Sequence, residues 1–231
     1  MNTYIKMAAL LTGSLNLLLS DLAFGQDISR FYQEGKVGYK DKMNLILVYP
    51  KYDAGSDFSE GMAIVMKDGK RGYINSVGQE SIALKYDDAT LFDNGIACVK
   101  YAGLYGFINE QDHWLIQPIF ENAFPFSEGC ARVMKNGKWG FINSLGDVVI
   151  PCQYELATNF SNGLAAVSRN NKFGYIDVRG NTILPFEYEM AGSFTEEGNA
   201  IIGQGKEQYK IDKKGKIIEK IELDEERGEK R

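Results

Sequence analysis

Five carboxylates recur at one spacing, and they are the side chains that most resemble catalytic or metal-binding groups. Each lies 34 residues after the one before it: Asp53, Asp87, Glu121, Glu155 and Glu189. A glycoside hydrolase needs two unlike carboxylates whose pKa values differ, and calcium is bound by several oxygen ligands together. Five equivalent carboxylates argue against one unique site. We therefore expect a structural role, in which each accepts hydrogen bonds from backbone N–H groups of a connector or from a lysine of the next repeat.

The sequence offers few other groups for catalysis. His113 is the single histidine, so neither a histidine-based metal cluster nor a Ser-His-Asp triad can be assembled. We expect this lone histidine to lie solvated in a turn. Glu196 and Glu197 interrupt the regular spacing and mark the place where a less favoured hydrolase site would lie. We predict no catalytic residue, no metal and no cofactor, and a protein that is not an enzyme.

Three cysteines are present, and an odd number is a poor disulfide framework. Cys98, Cys130 and Cys152 are expected to be small buried apolar side chains. Export into an oxidising compartment would allow pairing. Cys98 and Cys130 are then the candidates, because they lie on the first strands of neighbouring repeats.

The spacing of the carboxylates is shared by the rest of the chain. Glycines recur with the same step of 34 residues at Gly38, Gly72, Gly106, Gly140 and Gly174. Two aromatic columns do the same, one at 52, 86, 120, 154 and 188 and one at 58, 92, 126, 160 and 194. Many independent columns with one period indicate internal repeats. We count five full repeats and a partial sixth in residues 26–218.

Each repeat has the pattern of three short strands. The segments "GCARVMK" and "KWGFIN" flank Asn136-Gly137, a dipeptide typical of a two-residue hairpin. A second turn runs from Asn143 to Gly146, and a third strand, "DVVIP", follows it. The apolar pattern has period two, which excludes the helices of other 34-residue repeats. We predict an all-β fold of tandem three-stranded antiparallel meanders stacked into a β-solenoid or superhelix, with a β-propeller as the alternative.

The aromatic columns are expected to form the core, because one repeat cannot bury its apolar face alone. The glycine column suggests a close approach, such as an aromatic ring of the next repeat lying over it. A third column is more variable and includes Tyr105, Trp139 and Phe173. If any column faces a ligand it is this one, so these three residues are the candidate ligand-binding side chains.

The first 25 residues are typical of a secretory signal peptide. Lys6 precedes an apolar run, and Ala23 and Gly25 supply the small residues before a cleavage site. The alternative is an anchoring transmembrane helix, but polar residues interrupt the run, which is shorter than the roughly 20 apolar residues of a span. The segment holds one basic and one acidic residue, so the mature chain keeps the net charge of -5.

The rest of the chain carries no second apolar span and no basic patch, which excludes a membrane span in the mature chain and a nucleic-acid partner. We predict an exported protein that is periplasmic, on the outer surface or secreted. Residues 219–231 are predicted to form a charged C-terminal tail.

The pattern of residues 126–157, "FSEGCARVMKNGKWGFINSLGDVVIPCQYELA", resembles the WG-repeat family, also called KWG repeats. The resemblance covers essentially the whole mature chain, although only Trp139 supplies the Trp of the motif. It implies a bacterial exported or multidomain repeat protein, and it implies no particular reaction. With the stacked repeats and the missing catalytic set, it favours a non-catalytic interaction or scaffold module of the cell envelope. A carbohydrate- or cell-wall-binding module is the alternative, so the partner would be a protein or an envelope glycan.

Overall fold

The computed structural model describes residues 28–222, which form two compact units that divide after Asn94. Every regular element in this range is a β-strand, which confirms the all-β prediction. No helix in the described range has the length and apolar character to cross a membrane. The predicted signal peptide lies outside the described residues.

The first unit contains eight strands. They are β1 (Ser29–Gln33), β2 (Lys36–Lys40), β3 (Ile46–Tyr52), β4 (Ala54–Gly55), β5 (Met62–Lys67), β6 (Lys70–Asn75), β7 (Glu80–Tyr86) and β8 (Asp88–Ala89). Strands β1 to β3 form sheet 1, and β4 to β7 form sheet 2, each in chain order and antiparallel.

The second unit contains fourteen strands. They are β9 (Ile96–Tyr101), β10 (Leu104–Asn109), β11 (Trp114–Phe120), β12 (Asn122–Ser127), β13 (Cys130–Lys135), β14 (Lys138–Ile142), β15 (Val148–Tyr154), β16 (Leu164–Arg169), β17 (Lys172–Asp177), β18 (Thr182–Tyr188), β19 (Met190–Ala191), β20 (Asn199–Gln204), β21 (Glu207–Asp212) and β22 (Ile217–Ile221). Strands β9 to β11 belong to sheet 3, β12 to β15 to sheet 4, β16 to β18 to sheet 5 and β19 to β22 to sheet 6.

The predicted meander is present in every sheet, and the connectors add to it. In sheets 2, 4 and 6 a strand from the connector pairs with the first strand of the meander and gives a four-stranded sheet. In sheet 5 the connector contributes only two isolated bridges, from Ala157 to Val167 and from Ser161 to Leu164. Strand β22 extends to Ile221, so the segment predicted as tail begins inside the last strand.

The turns follow the residue types that the sequence places in them. Asn136 and Gly137 both have positive φ, of 54° and 68°, as a type I′ hairpin turn requires. In the second turn Asn143 Oδ1 accepts from the backbone N–H groups of Leu145 and Asp147, at 3.0 and 2.9 Å. Asp112 has a φ of 63° where most repeats place glycine. Side-chain bonding of this kind is local to the turn and favours it at these residue types.

The glycine column has a different cause from the one predicted. Opposite Gly140 the register between β14 and β15 shifts, because Trp139 pairs with Tyr154 while Phe141 pairs with Ile150. The bulged backbone of β15 therefore comes close to the Cα of Gly140. No aromatic ring of the next repeat lies over the glycine. The neighbour is the third strand of its own sheet.

The core lies between consecutive sheets of a unit. One cluster joins Phe141 and Tyr154 of sheet 4 to Val167 and Ile176 of sheet 5, with Phe160 from the connector. The ring of Phe141 lies 4.6 Å from that of Phe160, and equivalent pairs recur in the other repeats at the separations of aromatic contacts. The predicted core role of both aromatic columns is confirmed.

Candidate functional site

The recurring carboxylates lie immediately after the third strand of each meander, where they meet the hairpin turn of the following sheet. Glu121 accepts from the backbone N–H groups of Asn136 and Gly137, at 2.8 and 2.9 Å. Asp53 accepts from the N–H of Asp68, at 2.8 Å. The donors are therefore the strained hairpin turns, whose N–H groups have no partner in the ladder, and they are not the connectors.

Lysines also contact these carboxylates, but from the preceding strand pair and not from the next repeat. Lys36 Nζ lies 2.5 Å from Asp53, and Lys172 Nζ lies 2.9 Å from Glu189. Each lysine opens the middle strand of the same meander that its carboxylate ends. The pairs are largely exposed, and exposed ion pairs contribute little. Each carboxylate thus links the end of its own sheet to the hairpin turn of the following sheet. We call such a link between consecutive sheets a staple.

These contacts change the acidity of the carboxylates. The N–H of Asn171, 3.0 Å away, is the main cause that lowers the pKa of Glu155, and Lys138 adds to it. The Lys172 side chain lowers the pKa of Glu189 in the same way. A general acid needs a pKa raised toward neutrality, so neither carboxylate has the property of one.

Acid is expected to weaken the staples. The folded pKa of Glu155 lies below its ordinary value of 4.5, so its contribution is complete above that pH and is lost as the pH falls through the folded pKa. We expect the melting temperature to fall on acidification below about pH 4.5, and the fall to be shallower in Glu155→Gln. Thermal melts across this range, with Glu110→Gln as an exposed control, measure the effect. Equal slopes in Glu155→Gln and the wild type would contradict it.

A second set of staples was missed from the sequence. Ser127 and Ser161 donate their hydroxyl groups to the carbonyl oxygens of Phe160 and Phe194, at 2.8 and 2.7 Å. Glu128 accepts from the N–H of Asn162, 34 residues later, at 2.6 Å. The repeated "FSEG" and "FSNG" segments were the available signal.

The side chains that differ between repeats come together in a groove. In sheet 2 this groove has a volume of about 370 Å³. Its walls include Ser56, Ile64, Met66, Arg71 and Asp88. An ion pair joins Arg71 to Asp88. The positions of Ser56, Arg71 and Asp88 hold other residue types in the equivalent places of the other repeats.

The equivalent groove of sheet 4 is filled by its own side chains. The Arg132 guanidinium carbon lies 3.9 Å from the ring centre of Phe124 and 4.7 Å from that of Trp139. Arg132 Nη1 donates to the carbonyl of Ala157. Cation–π contacts of this kind hold an arginine in one orientation. The same groove is thus open in one repeat and occupied in another.

The three predicted ligand-binding side chains occupy different surroundings. Trp139 is buried, with 7% of its surface exposed, and packs against Phe124. Tyr105 and Phe173 are half-buried. Tyr105, Trp139 and Phe173 lie in three different sheets, so they do not share a pocket.

Glu197, in the segment that interrupts the spacing, lines a cavity of sheet 6. The cavity has a volume of about 390 Å³, and Thr195, Lys210 and Glu219 also line it. A hydrogen bond from the Thr195 side chain is the main cause that lowers the pKa of Glu197. A lowered pKa is opposite to that of a glycosidase acid.

None of the three cysteines forms a disulfide in the described part of the chain, and the histidine is exposed. Cys98, Cys130 and Cys152 are free thiols, so the candidate pair of Cys98 and Cys130 is not joined. Burial raises the pKa of Cys98 to about 12, which leaves it protonated and unreactive. His113 is exposed in the turn between β10 and β11. Residues 28–222 contain no group of three or more His, Cys, Asp and Glu side chains able to hold a metal ion.

Comparison with known families gives one match. A family model described as the WG containing repeat matches five consecutive segments of the chain: residues 38–70, 72–105, 105–139, 139–173 and 173–206. The five segments follow the period found in the sequence. No curated protein matches the chain.

Solved structures share the fold at low identity. The crystal structure of a eukaryotic initiation factor has a TM-score of 0.56 at 10% identity and covers 86% of this chain, which spans 63% of that protein. KlHsv2 with loop 6CD replaced by a Gly-Ser linker has a TM-score of 0.53 at 8% identity, covering 88% of this chain and 80% of that one. Hsv2p of Kluyveromyces lactis gives 0.51 at 8% identity, covering 82% and 72%.

The Hsv2 structures are propeller-like folds. At these identities the likeness concerns the fold alone. The open solenoid and the propeller both remain predictions for this chain.

Proposed function

This chain belongs to the family of WG-containing repeat proteins, and from that premise we propose that it acts as a non-catalytic interaction or scaffold module of the cell envelope. The proposed partner is a protein that contacts the grooves lined by the variable side chains. Export rests on the signal-peptide pattern of residues 1–25. Repeat proteins with a constant frame and variable surface positions commonly bind other proteins in this way.

The proposal rests on the difference between the constant columns of the repeat, which hold the fold together, and the variable columns. The carboxylate, glycine and aromatic columns are occupied by contacts inside and between sheets. The variable columns line the groove of sheet 2, where an ion pair, two apolar side chains and a hydroxyl group lie together. Such mixed linings are typical of protein-binding surfaces.

The non-catalytic part of the proposal has its own support. Asp53, Glu155 and Glu189, three of the recurring carboxylates, have lowered pKa values and accept backbone hydrogen bonds.

The carbohydrate-binding alternative depends on exposed aromatic rings. Trp139 has little exposed ring surface, while Tyr105 and Phe173 keep part of theirs. Sugar binding would therefore involve Tyr105 or Phe173 without Trp139. Titration with soluble cell-wall glycans that perturbs the NMR signals of these two rings would favour this alternative over a protein partner.

A photo-cross-linking experiment tests the protein-binding proposal. A benzoylphenylalanine placed at Ile64, inside the groove of sheet 2, is expected to give one discrete protein adduct in envelopes of the source cells. The matched control places the same group at Leu145, which is 81% exposed in a turn away from the grooves. Adducts of equal yield at both positions, or none at Ile64, would contradict a groove-bound protein.

A further inference from the structure

Arg132 is a cation that its own repeat does not neutralise. Its guanidinium group lies between Phe124 and Trp139, and Nη1 donates to the carbonyl of Ala157. No carboxylate lies within ion-pairing distance of it in the described part of the chain. Burial lowers the pKa of Arg132, and no acidic neighbour acts against that effect.

The remaining nitrogen atoms of Arg132 differ in their surroundings. Nε is buried and has no hydrogen-bond partner within residues 28–222. Nη2 makes no hydrogen bond there either, but it is not a buried atom. Nη2 of a fixed guanidinium group is therefore open to a molecule from outside. Because the two rings hold the group in place, little conformational entropy is lost when it binds.

Another repeat shows what this arginine position binds. Arg30 lies 102 residues before Arg132, which is three periods of 34. Its Nη1 donates to the carbonyl of Gly55, the equivalent of Ala157, at 2.7 Å. Its Nε and Nη2 donate to the two carboxylate oxygens of Asp57, at 2.8 and 3.2 Å. Arginine and carboxylate form a paired contact of this kind because their planar groups match.

The repeat of Arg132 has lost that carboxylate. The position equivalent to Asp57 is Asn159, which is three periods later. Its Oδ1 is buried without a hydrogen-bond partner among the described residues. The carbonyl acceptor and the arginine are retained, but an amide has replaced the group that would balance the charge. Nη2 of Arg132 is thus an accessible donor without a carboxylate partner in the described range, while Nε and Asn159 Oδ1 are buried polar atoms without a hydrogen-bond partner there.

We propose that Arg132, held between Phe124 and Trp139, binds a carboxylate group supplied by another molecule through Nη2, one of the two nitrogen atoms with which Arg30 binds Asp57. The ligand class is a carboxylate on an acidic peptide segment. The choice of a peptide rests on the proposed function, whereas the carboxylate site itself does not. Trp139 then serves as one wall of the site and not as its recognition surface.

Exchange of the amide and the acid between the two repeats gives matched variants. In Asn159→Asp, the chain supplies its own carboxylate to Arg132, so the site is blocked. In Asp57→Asn, Arg30 loses its carboxylate partner and becomes a second arginine that can bind an added carboxylate, without the two aromatic walls. Both substitutions change one atom type and leave the side-chain volume nearly unchanged, so a loss of folding is not expected.

Trp139 fluorescence reports binding when Trp114 is replaced by phenylalanine. Position 114 holds isoleucine, glutamate, valine or threonine in other repeats, so Trp114→Phe should fold. The protein is titrated with sodium acetate, and sodium chloride at equal ionic strength is the control. It is also titrated with the peptide acetyl-Gly-Asp-Gly-amide, and the peptide with Asn in place of Asp is the control. We expect a saturable acetate response with a Kd of roughly 1–10 mM, as for one charge-assisted contact.

The variants decide the outcome. At least a tenfold weaker response is expected in Asn159→Asp and in Arg132→Gln, with unchanged thermal melts as the check on folding. The Arg Nε–H signals in NMR should show a second acetate-sensitive arginine in Asp57→Asn. A response to acetate that persists in Arg132→Gln, or its absence in the wild type, overturns the site. Acetate binding without preference for the Asp peptide retains the site and overturns the peptide as its ligand.

Discussion

Replacement of Gly140 by alanine is expected to lower the free energy of unfolding by about 3 kcal/mol or more, which is at the upper end of overpacking effects. A Cβ at this position would lie 2.6 Å from the backbone nitrogen of Cys152 and 2.6 Å from the carbonyl oxygen of Ile150. Both atoms belong to the bulged strand β15, whose hydrogen bonds hold it against β14. Backbone atoms on a paired strand cannot move aside as a flexible side chain can.

Gly137 provides the matched control, three residues away in the same hairpin. It has a φ of +68°, and a Cβ there would meet nothing within 4 Å. Gly137→Ala should therefore cost only the backbone strain of a left-handed residue, about 1–2 kcal/mol. Urea denaturation of both variants measures the difference. If Gly140→Ala were no less stable than Gly137→Ala, the close approach of β15 would not be what requires glycine at position 140.

Gly137 and Gly140 show which features of the fold could be predicted from the sequence and which could not. Asn136-Gly137 predicts its own turn, because the required positive φ values are a local property of these residue types. The need for Gly140 could be predicted from its recurrence, but its cause could not. The register shift that brings Ile150 and Cys152 to Gly140 depends on hydrogen bonds between strands, and no local residue preference encodes it.

The candidate site was predictable to a smaller extent. Recurrence identified Trp139 as the member of a variable column, but its burial depends on Phe124 and Arg132, which come from other strands. Arg132 itself was missed because it stands in a column with only one other arginine. The sequence signal for this site lies in two columns compared together, the arginine column and the column that holds its carboxylate partner. Arg30 occurs together with Asp57, whereas Arg132 occurs together with Asn159.

A similar pairing of columns distinguishes sheet 6 from the other sheets. In five sheets an aromatic residue of the middle strand stands directly opposite an aliphatic residue of the third strand: Tyr39 and Val48, Tyr73 and Ile82, Phe107 and Ile116, Phe141 and Ile150, Tyr175 and Leu184. In sheet 6 the same register pairs Lys210 with Glu219. An opposite-charge pair has replaced an apolar one on the face that would meet a further repeat. In an open stack of repeats, this is the composition expected of a capping repeat.

Transfer of that charged pair into sheet 4 is expected to abolish folding. Phe141 is 0% exposed and Ile150 is 2% exposed, so Phe141→Lys with Ile150→Glu removes two large core side chains. Loss of a buried phenylalanine costs about 3–5 kcal/mol, and burial of the two charges adds several kcal/mol more. The sum approaches the whole stability of an ordinary domain, about 5–15 kcal/mol. Far-UV circular dichroism and urea denaturation should show a chain without a cooperative transition.

The reverse exchange in sheet 6 separates the effect of position from the effect of composition. Lys210→Phe with Glu219→Ile places the same apolar pair on a face where Lys210 is half-buried and Glu219 is exposed. This variant should fold, but the new apolar surface should cause association that increases with concentration, which sedimentation velocity can measure. A monomer at every concentration would contradict the capping interpretation. The first variant places Lys and Glu where sheet 4 has Phe and Ile, and the second places Phe and Ile where sheet 6 has Lys and Glu. A difference in folding between the two variants therefore reflects the position of each sheet face.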